Sequence, residues 1–143
     1  LAGDADHEDD YSHKLKKMVA ENPNIILTGY ITGDDLHQIY SHARLFVLPS
    51  YHEGLPIVLL EALSYGLIPL VSDIPANLEV KIDADYYFQC KNVKHLKDKL
   101  TQLWFSDFTI EDREQLVDFV KNKYDWQTIA TQTIEVYRTA LKN

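Results

Sequence analysis

Short apolar runs alternate with amphipathic stretches along most of this chain, and that alternation sets the expected architecture. Asp10 to Glu21 has the pattern of a helix and stops at Asn22-Pro23. Asn24 to Thr28 (NIILT) is a short apolar run, the pattern of a buried strand. Thr32-Gly33-Asp34-Asp35 supplies capping groups for a helix to about His42. Arg44 to Leu48 (RLFVL) predicts the next strand, closed by Pro49-Ser50. The loop Tyr51 to Leu55 leads into a helix from Pro56 to about Tyr65, which Gly66 terminates. Ile68 to Ser72 (IPLVS) is a further strand, with Pro69 near its start, where a missing amide donor is tolerated. Tyr86 to Gln89 predicts a short strand.

From Val93 onward the spacing is helical. Val93 to Trp104, Ile110 to Lys123 and Trp126 to Lys142 each repeat apolar residues every three or four positions, and Asp125 is placed to cap the last of them. The stripes of these three helices read as ordinary core faces. Strands alternating with helices predict an α/β fold, a Rossmann-like parallel sheet flanked by helices. There is no internal repeat, low-complexity tract or long linker, so one domain with a helical tail is expected over residues 1–143. Leu1-Ala2-Gly3-Asp4 has the look of a strand end and its turn, and the first residue is not Met. The chain is therefore expected to belong to a longer polypeptide.

Composition narrows the class. The chain is 45% hydrophobic and 25% charged, which suits a globular domain able to bury its own core. With 22 acidic against 14 basic residues the net charge is −8, which argues against nucleic acid as a main partner. A local anion site built from backbone amides remains compatible with that charge. The single cysteine, Cys90, permits no internal disulfide and no CxxC metal knuckle; it fits a reducing compartment and reads as a core filler. The opening LAGDADHEDD is too acidic for a secretory signal. The most apolar stretch, Ile57 to Val71, is too short to span a bilayer and is interrupted by Glu61, Gly66 and Pro69.

The chemically informative segment is PSYHEGLPIVLLEAL, from Pro49 to Leu63. It places a strand, a loop bearing Glu53-Gly54 and a helix entered through Pro56 in succession. Amides in the first turn of a helix have no intrahelical acceptor, and with the helix dipole they favour an anion. Those of Ile57 and Val58 could thus receive a diphosphate. Glu61 lies within the apolar run IVLLEAL, which predicts burial; a buried carboxylate needs a partner, and a pair of ribose hydroxyls would serve. Both carboxylates would then border a crevice at the carboxyl end of a parallel strand, where open α/β sheets bind ligands. Taken alone, the residues leave two readings open: such a crevice, or two ordinary solvated glutamates.

The E-x7-E spacing of Glu53 and Glu61 inside this segment resembles the signature of the retaining glycosyltransferases of family 4 (glycosyl transferases group 1). The resemblance extends to Asn24–Ile31 (NIILTGYI), Leu36–Ala43 (LHQIYSHA), Ser64–Asp73, the loop Ile74–Val80 (IPANLEV) and Trp126–Tyr137. It implies the C-terminal, donor-binding domain of a GT-B fold lacking its first βα unit, with residues 126–143 as the terminal helix. The implied activity is transfer of a sugar from a nucleotide diphosphate sugar with retention, in polysaccharide biosynthesis. Glu61 would bind the ribose hydroxyls, and Glu53 the transferred sugar, as the candidate catalytic residue. The amides of Gly54 and Leu55 would lie near the sugar and those of Ile57 and Val58 near the diphosphate. The backbone at Tyr30 and Ile31 would take the base.

No cofactor or metal is implied; the donor is itself the substrate. A glycan, lipid or small-molecule acceptor would be held by an N-terminal domain that is absent here. The parent would be cytoplasmic, compatible with peripheral association at the inner face of a membrane. The family's Arg and Lys that offset the diphosphate have no match in this sequence, so the chain alone is expected to be inactive. An inactive nucleotide-sugar-binding module and a GT-B epimerase or phosphorylase share the same motifs.

Other constellations are less specific. Asp4-Ala5-Asp6 and Asp83-Ala84-Asp85 spell DxD, but both sit in polar turns that explain the aspartates. The six histidines show no zinc spacing, and His52 earns notice only as the neighbour of Glu53. There is no GxSxG, GxGxxG or P-loop.

Overall fold

The computed structural model describes residues 1–4 and 7–141. They form two compact units, Leu1–His42 and a second from Ala43 onward.

In the first unit, helix α1 spans Asp10–Ala20 and is capped by Asp9, whose side chain accepts from the Ser12 amide while the Ser12 hydroxyl accepts from the Asp9 amide. Helix α2 spans Gly33–His42. The expected strand at Asn24–Thr28 does not form. Beyond the local turn at Asn22, it bonds to the short opening segment. The Leu1 amine donates to the Ile26 carbonyl, the Thr28 amide to the Leu1 carbonyl, and Gly3 bridges Gly29. Ile26 is 70% exposed, and Ile25 is exposed as well. An apolar run becomes a buried strand only where partners occupy both edges and at least one face.

The second unit carries a three-stranded parallel sheet in the order β1 (Leu45–Leu48), β2 (Ile68–Ser72), β3 (Tyr87–Phe88). Leu45 pairs with Ile68 and Leu48 with Val71; β3 joins only at Val71 and Ser72, so the β2–β3 ladder begins beyond Pro69. Helix α3 (Ile57–Ser64) connects β1 to β2. Residues 74–80, expected as a loop, form helix α4 (Pro75–Val80) instead. Pro75 at its first position and Lys81 in the left-handed region at its end explain the short turn of helix. A 3₁₀ turn at Ala84–Tyr86 precedes β3, and Asp83 caps it by accepting from the Asp85 amide. Turn capping thus accounts for the second DxD; Ala5 and Asp6 of the first lie outside the described residues.

Helices α5 (Val93–Phe105), α6 (Ile110–Lys123) and α7 (Trp126–Ala140) follow. Lys142, the expected last residue of α7, lies outside the described residues. Asp125 caps α7, and its carboxyl is held below the usual range by the Thr128 hydroxyl and amide. One core joins Leu59 and Leu63 of α3, Ile68, Leu70 and Val71 of β2, Val80, Phe88, Leu103 of α5 and Leu116 of α6. The expectation of three core-facing stripes holds for α5 and α6 and fails for α7. No α7 residue is buried, and Trp126, Val136 and Tyr137 are well exposed. Helical spacing predicts that a face exists; it does not say what covers that face.

Gly66 ends α3 with φ +67°, and a Cβ there would lie 3.1 Å from both the Cβ and the carbonyl oxygen of Arg113 on α6. The Arg113 guanidinium donates back to the Gly66 carbonyl at 3.1 Å. Gly66→Ala therefore adds left-handed strain and crowds backbone that cannot move aside. It should lower unfolding free energy by about 1–3 kcal/mol, read as a lower urea midpoint at unchanged slope.

Candidate functional site

The carboxyl ends of the three strands are tied together by side chains. After β1, the Ser50 carbonyl accepts from the Ser72 hydroxyl at 2.6 Å and lies 3.9 Å from the Cys90 thiol. After β2, Asp73 donates its amide to the Phe88 carbonyl and accepts from the Cys90 amide at 2.7 Å. Cys90 is half-buried and serves this junction, which corrects its reading as a core filler. Beneath them, the fully buried Asn77 donates to the Ser72 carbonyl at 2.9 Å and the Ser72 hydroxyl at 3.2 Å, and Tyr87 donates to the Asn77 carbonyl.

Glu53 sits above this junction, half-buried, and accepts from the Ser50 hydroxyl at 2.6 Å. That length belongs to a charge-assisted bond, which holds a carboxylate more firmly than a neutral pair would. Tyr51 and His52 are exposed, and the Lys91 ammonium stands 5.7 Å from the centre of the Tyr51 ring. Gly54 is exposed with open space where a Cβ would point.

The start of α3 differs from a plain helix N-terminus. Pro56 has φ −76° and ψ 73°, and the Ile57 amide bonds the Leu55 carbonyl at 2.8 Å. These are the angles and hydrogen bond of an inverse γ-turn. The Ile57 amide, one of the two expected to face a diphosphate, is thereby engaged within the chain. The Leu59 and Leu60 amides reach the Pro56 carbonyl. The Val58 amide makes no backbone hydrogen bond among the described residues. Leu55, Ile57 and Val58 all present exposed side chains here.

Glu61 is exposed, against the expectation of burial. Leu59, Ala62 and Leu63 form the buried face of α3. Glu61 is two residues from each leucine, about 200° around the axis, so neighbours in sequence are not neighbours in space. It borders a groove of about 610 Å³ between α3 and the α6–α7 junction, with Leu60, Ser64, Lys121, Tyr124 and Trp126 among its walls. Tyr30 and Ile31 belong to the first unit. Tyr30 is 84% exposed, Ile31 half-buried, and the loop holding them is bracketed by Gly29 and Gly33, both at positive φ. The first unit has its own cleft of about 590 Å³, and neither residue lines it.

Ser72 and Asn77 were missed in the sequence. The available signal was a serine ending each of two apolar strands, Ser50 and Ser72; nothing local marks Asn77, because its partners lie on another element.

The chain is thus an α/β domain with a parallel sheet whose carboxyl edge gathers polar groups beside a helix start, the place where open α/β sheets bind ligands. The chain belongs to the glycosyl transferases group 1 family, whose pattern matches residues 1–126. It is 28% identical to an uncharacterised glycosyltransferase of Methanocaldococcus jannaschii, with 99% of the chain and 37% of that protein covered. It is 31% identical to the N,N'-diacetylbacillosaminyl-diphospho-undecaprenol alpha-1,3-N-acetylgalactosaminyltransferase of Campylobacter jejuni, over 76% of the chain and 30% of that protein. Among solved structures, sucrose-phosphate synthase from Thermosynechococcus elongatus superposes over 99% of the chain and 38% of its own length, with TM-score 0.84 at 20% identity. The fold is therefore that of GT-B glycosyltransferase catalytic domains. The chain spans about a third of the length of these relatives.

The Asn77 amide faces a carbonyl and a hydroxyl in the interior. Asn77→Asp would set a carboxyl oxygen against the Ser72 carbonyl with no room for water. A loss of about 3 kcal/mol in unfolding free energy is expected, measured by chemical denaturation near neutral pH, where the new side chain would have to ionise or hold a proton in the core.

Proposed function

We propose that this chain is the donor-binding part of a retaining glycosyltransferase that takes a nucleotide diphosphate sugar, and that the acceptor is held by a further domain of the whole protein. The observation that carries the reading is the pair of glutamates on either side of the start of α3, Glu53 before it and Glu61 within it. One is held by a hydroxyl at the strand ends, and the other borders a groove one helical turn or more away. Family membership supports glycosyl transfer as the reaction class.

In this scheme Glu61 bridges the ribose hydroxyls, whose two donors match one carboxylate. The diphosphate lies toward the Val58 amide and the positive end of the α3 dipole, with the Ile57 amide recruited only if its γ-turn bond opens. The amides of Gly54 and Leu55 and the Glu53 carboxylate take hydroxyls of the transferred sugar. The base is assigned to the backbone at Tyr30 and Ile31 on the family resemblance alone. As the glycosidic bond breaks, negative charge grows on the departing nucleoside diphosphate. Stabilising that charge is the main catalytic task, shared by the helix terminus and basic residues supplied elsewhere, with no metal in the scheme. The acceptor is a glycan, a lipid or a small molecule; the C. jejuni relative, by its name, acts on a diphospho-undecaprenol-linked sugar. A cytoplasmic protein working at the inner face of a membrane suits an acceptor of that kind. No helix among the described residues is long and apolar enough to cross a membrane.

Glu61→Ala should weaken uridine or guanosine diphosphate binding by about 1–3 kcal/mol, the scale of hydrogen bonds to a charged group. Calorimetry on the whole protein reads this directly; unchanged affinity in a folded variant would remove the ribose role. Glu53→Gln should behave differently. It should leave nucleoside diphosphate affinity nearly intact and lower kcat, since its partner is the sugar. Equal losses in bare-nucleotide affinity and in turnover would contradict that assignment.

A further inference from the structure

We infer that Ser50 is a positioning residue for Glu53, and that the buried Asn77–Ser72 pair acts through Ser50 to hold it in place; the inference rests on the proposed role of Glu53 at the sugar. Three hydrogen bonds form the relay, the second and third joined through the covalent frame of Ser50. Asn77 Nδ2 donates to Ser72 Oγ at 3.2 Å, Ser72 Oγ donates to the Ser50 carbonyl at 2.6 Å, and Ser50 Oγ donates to Glu53 Oε1 at 2.6 Å.

The direction of each bond follows from the groups themselves. An amide nitrogen can only donate, so Ser72 Oγ accepts from Asn77 and has one proton left, which the Ser50 carbonyl receives. The Asn77 amide cannot be turned over. Its Nδ2 lies 2.9 Å from the Ser72 carbonyl, and exchange would bring two acceptors face to face. The Ser72 hydroxyl is thus denied its other rotamers, and the backbone of Ser50 is pinned two residues past the end of β1. From that fixed backbone, Ser50 Oγ reaches Glu53 three residues on. The bond occupies Oε1 and leaves Oε2 as the oxygen for a sugar hydroxyl.

The cost of the arrangement argues for a role beyond stability. Asn77 Oδ1 is buried and has no hydrogen-bond partner among the described residues. An unpaired interior acceptor is destabilising, and an apolar side chain could fill this position without it. Local rules broken in this way are expected at functional sites. Here the broken rule lies on the side chain that bonds Ser72, two residues along the relay from the carboxylate assigned to the sugar. Ser72 is 1% exposed and Asn77 fully buried, so solvent does not compete for the bond between them.

The test uses the whole protein that carries this chain, since Asn77 variants risk failing to fold. Ser50→Ala removes only the last hydroxyl. It should lower kcat about tenfold or more, the scale of a misplaced catalytic group, while the Kd for bare nucleoside diphosphate stays unchanged. Ser50→Thr, which keeps a hydroxyl at the same atom, should restore most of the loss. Ser72→Ala should lower kcat in the parent and add little in the Ser50→Ala background, because both act on one carboxylate. If Ser50→Ala turns over at the parent rate while Glu53→Gln is impaired, the positioning role falls and the role of Glu53 stands. If Glu53→Gln is itself unimpaired, both fall together. A parallel loss of nucleotide affinity in Ser50→Ala, or fully additive losses with Ser72→Ala, would reduce the relay to a structural feature.

Discussion

The second unit depends on the burial of β2. All five residues of this strand are buried, which removes both of its faces and both of its edges from water. A strand enclosed in this way must end abruptly, because its last polar groups have no solvent to bond. Ser72 meets that constraint by donating to the end of β1, and Asn77 meets it from α4. The same closure that completes the core draws together the carboxyl ends of all three strands. The candidate site is built on this junction, so its inner wall is also part of the core.

Helix α3 translates that arrangement into two chemically different carboxylates. Leu59, Ala62 and Leu63 lock one face of the helix against β2 and α6. The opposite face is left to Glu61 and the groove at the α6–α7 junction. Glu53 precedes the helix and is governed by the strand ends instead. Pro56 separates the two by a γ-turn that ties up the Ile57 amide. The first turn of α3 consequently offers an anion fewer ready donors than its position suggests, since the Ile57 amide is already engaged. In the scheme proposed here, part of the diphosphate charge must be met by groups outside this segment.

The coverage of relatives gives these features their setting. The chain corresponds to 37% of the M. jannaschii relative, and the fold likeness to sucrose-phosphate synthase extends across 99% of the chain. Within that share lie the strand ends, the carboxylates and an exposed apolar helix, α7. A transferase must hold two substrates, and the residues assigned here address only the donor.

Much of the architecture was legible in the amino-acid pattern. The bounds of β1, α3, β2, α6 and the start of α7 follow from apolar spacing, from Pro56 and Gly66 and from the Asp125 cap, all of which act within a few residues. The E-x7-E spacing, with the segments around it, likewise marked the family. Long-range packing decided the rest. NIILT carries a strand's composition, yet among the described residues it pairs only with the short opening segment and forms no ladder. IPANLEV became a helix because Pro75 could open it and Asn77 could reach β2. The α7 stripe is apolar but uncovered. Glu61 looked buried because a sequence lists neighbours in a line, whereas a helix turns them about its axis. The bond from Ser50 to Glu53 is local, and a close reading of the motif could have found it. Its support by Ser72 and Asn77 joins residues 22 and 27 positions away from Ser50, and only the folded sheet brings those groups within hydrogen-bonding distance.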